Sequence, residues 1–400
     1  MGGVAVATMG GTRATGGSMS TGGTGVTGGT TGKGGSKSTK LVATAISAGS
    51  NHACAVLTDA TIQCWGDNSF GELGNATTTS SSVPVMVSGI NNATAVSAGF
   101  HYTCAVLRDA TIQCWGNGTS GQLGNGATTN SPMPVTVSVI TDAVAVAAGS
   151  ISCAVLRSGL AQCWGENGSD GYLGGDTMGS PTVIPTPVTV AGISNALAVV
   201  VGSNYGSCAV LSDGTIQCWG DNGYGERGDG TAYTSMSSST VMGITNAISV
   251  SAGNDHCCAV LSDNTIQCWG RGTSGQLGNG ATTFYGPPYG SSTPVTVAGI
   301  TNAIAVTAGG SYTCAILSDG TVQGWGANNY GELGNGTTTS SSVPVSVADI
   351  TNAMAIATGY DNTCVLLRGG SVQCWGYNQN GQLGDGTTTN RTSPVTVTGF

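Results

Sequence analysis

The 400-residue chain holds 68 glycines, and only 7 % of its side chains are charged, where an ordinary globular chain carries about 25 %. A hydrophobic content of 39 % with so little charge excludes a charge-rich disordered protein, and the irregular spacing of glycine excludes a collagen repeat. No apolar run is long enough to cross a membrane as a helix, and a net charge of −9 makes nucleic acid a poor partner.

Residues 1–40 are mostly Gly, Thr and Ser and cannot bury enough apolar surface to offset the entropy of ordering, so they are expected to form a disordered linker. All three lysines (Lys33, Lys37, Lys40) and Arg13 lie there with no acid, whereas the remainder sets six arginines against nineteen acids, a net of −13. Gly32-Lys33 and Lys37-Ser38 invite comparison with a phosphate loop, but Gly34 follows Lys33 and Ser36 precedes Lys37, so neither completes the motif. No charged segment followed by an apolar one marks a signal peptide. A linker of this composition often follows an export signal, which would then lie upstream of Met1.

From residue 41 the sequence repeats. The seven tryptophans, Trp65, Trp115, Trp164, Trp219, Trp269, Trp325 and Trp375, recur about every 50 residues in C-A-V-L-x-D-x-T-I-Q-C-W-G or a close variant. G-x-L-G follows, broken by Arg227 in the fourth unit, and then a Thr/Ser run, P-V-x-V, G-I-x-N-A and A-V-x-A-G. In the second unit, Ala93–Ala98, Cys104–Leu107, Thr111–Trp115 and Pro134–Val137 read as short strands, rich in β-branched residues and bounded by turn residues. Four such strands repeated seven times predict an all-β, seven-bladed propeller of four-stranded antiparallel blades over 41–400. A β-solenoid is the alternative, although its rungs are usually shorter. The first unit lacks a preceding P-V-x-V and the last lacks a following A-V-x-A-G, so the N- and C-terminal strands are expected to pair in one blade and close the ring.

Twelve of the fourteen cysteines form pairs ten residues apart: Cys54 with Cys64, Cys104 with Cys114, Cys153 with Cys163, Cys208 with Cys218, Cys258 with Cys268, and Cys364 with Cys374. Opposing Cys54 and Cys64 leaves the hairpin loop Thr58-Asp59-Ala60, whose third position favours a left-handed residue; five of its seven occupants are Gly or Asn. Directly opposed cysteines reach disulfide distance, which points to an oxidising compartment, with buried free thiols as the alternative. Spacings of two to four residues, which zinc and iron–sulfur sites use, are missing from these pairs, so no metal or other cofactor is expected. In the sixth unit Cys314 faces Gly324; Cys257 is the other odd cysteine, and the two are candidates for a bridge between blades.

H-x-C-A-V-L-x-D-G-x-x-x-W-G followed by N-x-x-G-Q-L-G resembles the regulator of chromosome condensation repeat, over 41–400 and in all seven units. The resemblance implies a seven-bladed propeller with a binding role and no active site of its own. Known members include a nucleotide-exchange factor for a small GTPase, a plant ultraviolet-B photoreceptor and secreted bacterial inhibitors of β-lactamase. The photoreceptor uses extra surface tryptophans, and here the repeat consumes every Trp. The exchange factor works in a reducing compartment through a basic tail, and here the propeller lacks lysine and its cysteines are laid out for oxidation.

His52 and His256 occupy the repeat's His position, with Tyr102, Tyr205, Tyr312 and Asn362 at the corresponding place elsewhere, so that position reads as a hydrogen-bonded packing site. Asp59, Asp109, Asp213, Asp263 and Asp319 read as turn residues, and G-D-G-T at Gly228–Thr231 and Gly384–Thr387 lacks the alternating oxygens of a calcium loop. No Ser/His/Asp or Cys/His set recurs outside repeat positions, so catalysis is not expected. The first and third connections of each unit emerge at one end of the propeller and vary most. They carry Phe100, Tyr102, Tyr205, Tyr312 and Tyr360, together with Phe284, Tyr285 and Tyr289 of an enlarged loop. Aromatic residues are enriched at interfaces, so this end is the candidate surface for a protein or glycan. The sequence thus points to a monomeric, non-enzymatic recognition scaffold, extracellular or at the cell surface. An exchange-factor-like regulator in the cytoplasm and a propeller lyase or hydrolase are the alternatives.

Overall fold

The computed structural model describes residues 41–168, 171–175, 182–282 and 289–399. The linker expected over 1–40 lies outside them. The first unit forms β1 (Ala43–Ala48), β2 (His52–Leu57), β3 (Ile62–Gly66) and β4 (Ser81–Met86), a four-stranded antiparallel sheet in chain order. The next begins at β5 (Ala93–Ala98), and the last runs from β25 (Ala353–Thr358) to β28 (Arg391–Thr396), giving seven such sheets and no helix among the described residues. The fold is the seven-bladed propeller that the repeat predicts.

The sequence dictates each blade locally. β2 is buried throughout because both of its faces pack against neighbouring blades, so HACAVL reads as a continuous apolar run rather than an alternation. Cys54 faces Cys64, and Val56 faces Ile62. Ala60, closing the three-residue loop, has φ 65°, and Ala110, Gly159, Gly214, Asn264, Gly320 and Gly370 are likewise left-handed. In this loop Asp59 Oδ1 accepts from the Thr61 N–H and hydroxyl, which holds its carboxyl below the usual range. The same hydroxyl contact recurs at Asp109, Asp213, Asp263 and Asp319, so these are turn residues.

The core lies between blades. Val56, Ile62, Leu73, Val87 and Ile90 of the first pack with Val96, Ala105, Leu107 and Trp115 of the second. All seven tryptophans are fully buried, and each such ring removes enough surface from water for a gross gain of about 5 kcal/mol. The Trp115 indole N–H donates to the Glu72 carbonyl at 2.7 Å, tying its blade to the one before, and Trp164, Trp269, Trp325 and Trp375 repeat the bond, whereas the Trp219 N–H makes none. Gly74 is left-handed at φ 65°, and a Cβ there would stand 2.7 Å from Trp115 Nε1, so only glycine lets the G-x-L-G turn approach the ring.

Ring closure differs from the expectation. β1 belongs to the first sheet and β28 to the last, so the terminal strands do not share a blade. A unit read from A-V-x-A-G to P-V-x-V is itself a whole blade, and the seam closes by packing one blade on another. Trp65 donates to the Gln382 carbonyl at 3.0 Å, Ala43 N–H to Gly370 at 3.0 Å and Gly386 N–H to Ser82 at 3.0 Å.

The expected cysteine pairs are all bridged. Cys54 is joined to Cys64, Cys104 to Cys114 and Cys153 to Cys163. Cys208 is joined to Cys218, Cys258 to Cys268 and Cys364 to Cys374, and the Cα separations of the six bridges are 4.0–4.1 Å. Buried free thiols, the alternative for these twelve, are found only at the two odd cysteines. Cys257 and Cys314 do not bridge each other. Cys257 Sγ stands 3.9 Å from Cys208 Sγ and Cys314 Sγ 4.0 Å from Thr363 Oγ1, each facing a neighbouring blade rather than the other. Burial raises both thiols, that of Cys314 to about 12.

Candidate functional site: the loop face

The first and third connections do share one end of the propeller, as Asp67 N–H donating to the Asn51 carbonyl at 2.8 Å shows. The third loop is long, and one buried amide organises it. Asn68 accepts from Leu73 N–H at 2.9 Å and donates to the carbonyls of Thr77 and Thr79 at 3.0 and 3.1 Å. Asn222, Asn328 and Asn378 repeat this pattern. With the amide satisfied, Leu73 is driven into the blade interface while the tied segment from Ala76 to Ser80 stays exposed.

The predicted binding residues divide. Tyr102 and Tyr312 are removed from the surface, since both are fully buried. The Tyr102 hydroxyl donates to the Ile151 carbonyl at 2.7 Å and accepts from Ser152; Tyr312 donates to Asn362 at 2.6 Å and accepts from Thr363 at 3.0 Å. They play the part of His52 and His256, whose Nε2 atoms lie 2.8 and 2.9 Å from Thr103 and Thr313 hydroxyls. Burial lowers those histidines to about 4 and about 3, so they are neutral packing groups. The expectation of a packing role at this position holds for all four.

Tyr205 does not share that position. The inserted residue of its unit leaves Gly206 opposite Gly220, the place that His52 takes opposite Gly66. Tyr205, left-handed at φ 58°, is displaced onto the loop face. It stacks on Tyr172 at 4.4 Å and donates to Glu166 at 2.9 Å; burial, and then this carboxylate, raise its hydroxyl to about 12.

Phe100, Tyr289 and Tyr360 keep 39 %, 39 % and 38 % of their surface exposed. Phe284 and Tyr285 lie outside the described residues. Sequence reasoning missed Phe70, Tyr224, Tyr330 and Tyr377, which complete aromatic groups: Phe70 with His101 and Phe100, Tyr224 with Tyr289, and Tyr330 with Tyr377. For Phe70, Tyr224 and Tyr330 the signal lay in N-x-x-G, where the residue before Gly changes freely between units; Tyr377 fills the variable place just after W-G. Arg271 covers the Tyr224 ring at 5.1 Å.

Acids surround these rings. Burial raises Glu226 to about 8, Glu332 to about 7 and Asp361 to about 6. Asp255 binds Arg271 at 2.9 Å, and Asn204 links Asp221 with Asp255 at 2.9 and 3.2 Å. Asp67, Glu72 and His101 converge, with one donor atom from each within 4.8 Å of the others, a grouping that the sequence reading did not foresee. No helix among the described residues is long and apolar enough to cross a membrane.

Models of the regulator of chromosome condensation (RCC1) repeat match residues 43–72, 93–122, 197–226, 247–276, 303–332 and 355–382. A second form of the same repeat matches 61–106, 111–156, 263–316, 319–366 and 369–400. No curated protein sequence matches. Among solved structures, yeast RCC1 (Prp20) bound to Kap60 is 18 % identical over 90 % of this chain and 85 % of its own, with a TM-score of 0.74. Prp20p from Saccharomyces cerevisiae, described with its binding properties to Gsp1p and histones, is 18 % identical over 90 % and 87 %, with a TM-score of 0.73. Human WBSCR16 is 20 % identical over 84 % and 94 %, with a TM-score of 0.74. At such identities the structures show a shared fold, while the repeat matches span well over half of the sequence: the chain belongs to the regulator of chromosome condensation repeat family.

Proposed function

We propose that this propeller is a non-enzymatic recognition scaffold, exported from the cell, that holds a protein or glycan partner on its loop face. The carrying observation is the set of aromatic groups there, whose edges at Phe100, Tyr289, Tyr330 and Tyr360 stay about two-fifths exposed, the first three braced by a neighbouring ring. Braced aromatics supply contact area at little entropic cost. The acids among them, Asp67, Glu166, Asp221 and Asp361, favour a basic protein segment over any phosphate polymer. Two of the similar structures come from reports of protein binding, by yeast RCC1 (Prp20) to Kap60 and by Prp20p to Gsp1p and histones, which is a precedent for the fold and no assignment of partner. Two of the three histidines, His52 and His256, are sealed inside blade interfaces, where no substrate reaches them. Six disulfides suit an oxidising compartment and support export.

The test is a triple variant, Phe100→Ala, Tyr289→Ala and Tyr360→Ala, compared with the parent on arrays of basic peptides and of glycans. Binders of the parent should weaken by at least about tenfold with the melting temperature unchanged. Binders kept in full by the variant would overturn the face assignment. Free thiols at the paired cysteines of protein recovered from its native source would overturn export.

A further inference from the structure

Three blade junctions carry an acid at the second position of the G-x-L-G turn, facing a first-loop residue of the next blade. At the junction of blades four and five, Glu226 meets Asp255, and the chain supplies its own cation there, since Arg271 Nη1 binds Asp255 at 2.9 Å. At the junction of blades six and seven, Glu332 meets Asp361, and burial pushes both carboxyls up toward their protonated forms. The junction of blades one and two is built differently. Asn117 stands where Arg271 would, and His101 replaces the second acid.

Glu72 is the fixed point of that third junction. Its side chain is wholly buried; Oε2 accepts from Phe70 N–H at 2.9 Å, while Oε1 makes no hydrogen bond and stands 3.5 Å from His101 Nδ1. Phe70 and Phe100 hold the His101 ring at 5.0 and 4.3 Å. Asp67, anchored by Ser69 and Ser80, brings the third donor. A buried carboxylate oxygen with no hydrogen bond is costly unless a cation meets it. Two carboxylates and one imidazole form an N/O set suited to zinc-like ions, whereas calcium and magnesium prefer oxygen alone.

We propose that Asp67, Glu72 and His101 bind one divalent transition-metal cation of the zinc type at the junction of blades one and two. Metal–ligand distances of about 2.0–2.2 Å draw tetrahedral donors to roughly 3.5 Å apart. The set contracts from 4.8 Å by turning the loop-borne Asp67 and His101 toward the buried Glu72. Three protein ligands leave a position for water or for a donor from outside. The site borders the recognition face, sharing Asp67 and the Phe100 ring with it, but it does not rest on that reading.

The experiment uses the full chain with its disulfides intact, stripped by chelator and titrated with Zn²⁺ by calorimetry and with Co²⁺ by visible absorption. One equivalent of each ion should bind, with the weak d–d bands of an N/O site. Glu72→Gln is a mild change, since Gln122, Gln276 and Gln382 fill the same place in other units. It and His101→Asn should each weaken binding by more than about 100-fold, because losing even a residue that only supports a ligand costs 10–100-fold. Glu226→Gln should leave the titration unchanged. The proposal fails if no stoichiometric ion binds, if His101→Asn binds as the parent does, or if Glu226→Gln abolishes binding. It also fails if Co²⁺ shows the intense thiolate charge-transfer band of coordination by Cys257 or Cys314.

Discussion

The sixth blade lacks a disulfide, and Gly324→Cys should supply one. Cys314 and Gly324 are paired in the same register as the six bridged pairs. A Cβ at Gly324 would stand 3.3 Å from Cys314 Sγ and 3.4 Å from Leu333 Cδ2; the backbone there is not left-handed, the sulfur is near enough to bond, and the Leu333 side chain need yield only by a few tenths of an ångström. Closing a loop of about ten residues contributes ~2.7 kcal/mol in the chain-entropy treatment. Replacing glycine also narrows the unfolded ensemble by about 0.5–1 kcal/mol, for a total of about 3.5 kcal/mol. Thiol counting under denaturing, non-reducing conditions checks the bond. The parent has two free thiols, Cys257 and Cys314, and the variant should have one. Urea unfolding checks the energy, and the gain should vanish in reductant. Three free thiols in the variant would refute the register argument; a formed bond that leaves the urea midpoint unmoved would refute the entropic one.

The left-handed alanines are a second target: Ala60→Gly and Ala110→Gly should each stabilise by about 0.5–1 kcal/mol, since the relief of a Cβ at φ 65° and 63° exceeds the added freedom of glycine when unfolded. Thermal melts would show it, and a lowered melting temperature would refute it. A third prediction concerns pH. Glu226 and Glu332 have folded values of about 8 and about 7, above the unfolded 4.5, so the folded state holds more protons and stability falls as pH rises through this window. His52 and His256, depressed to about 4 and about 3, act in the opposite sense, but their effect fades above pH 6.5 as the unfolded imidazoles lose their protons, so between pH 6.5 and 8 the carboxyls dominate the slope. Urea midpoints should therefore decline from pH 6.5 to 8, and Glu226→Gln should flatten the decline; a rise over that range would contradict the burial argument.

The fold was legible because every blade spells out its own contacts. The period of the tryptophans counted the blades, and the ten-residue cysteine spacing with Gly or Asn at the loop's third position gave the register to the residue. The same spacing placed Cys114, Cys163, Cys218, Cys268 and Cys374 opposite their partners in the later blades. The seam was not legible. P-V-x-V and A-V-x-A-G are the two outermost strands of one blade, and a sequence that repeats without a break does not mark where one blade stops. Tyr102 and Tyr312 were misplaced for a related reason: an aromatic ring beside a loop can point up into solvent or across into the next blade. Only the neighbouring Ser152 and Thr363 hydroxyls decide that they turn inward.

In this chain the repeat and the site occupy different positions. Residues that recur in most units, such as Trp115, Leu73 and Asn68, are spent on blade-to-blade packing and on tying loops, and each is fully buried. The position after A-G holds Ser50, Phe100, Ser150, Ser203, Asn254, Gly310 and Tyr360, a variety that no shared packing role would tolerate, and its two aromatics are exposed. His101, one place further on, and the displaced Tyr205 are likewise departures from the pattern. A propeller whose consensus side chains are consumed by its interfaces has only its departures left for recognition. The residues to mutate for function are therefore those that differ between units and reach the loop face, and the residues to mutate for stability are those that do not.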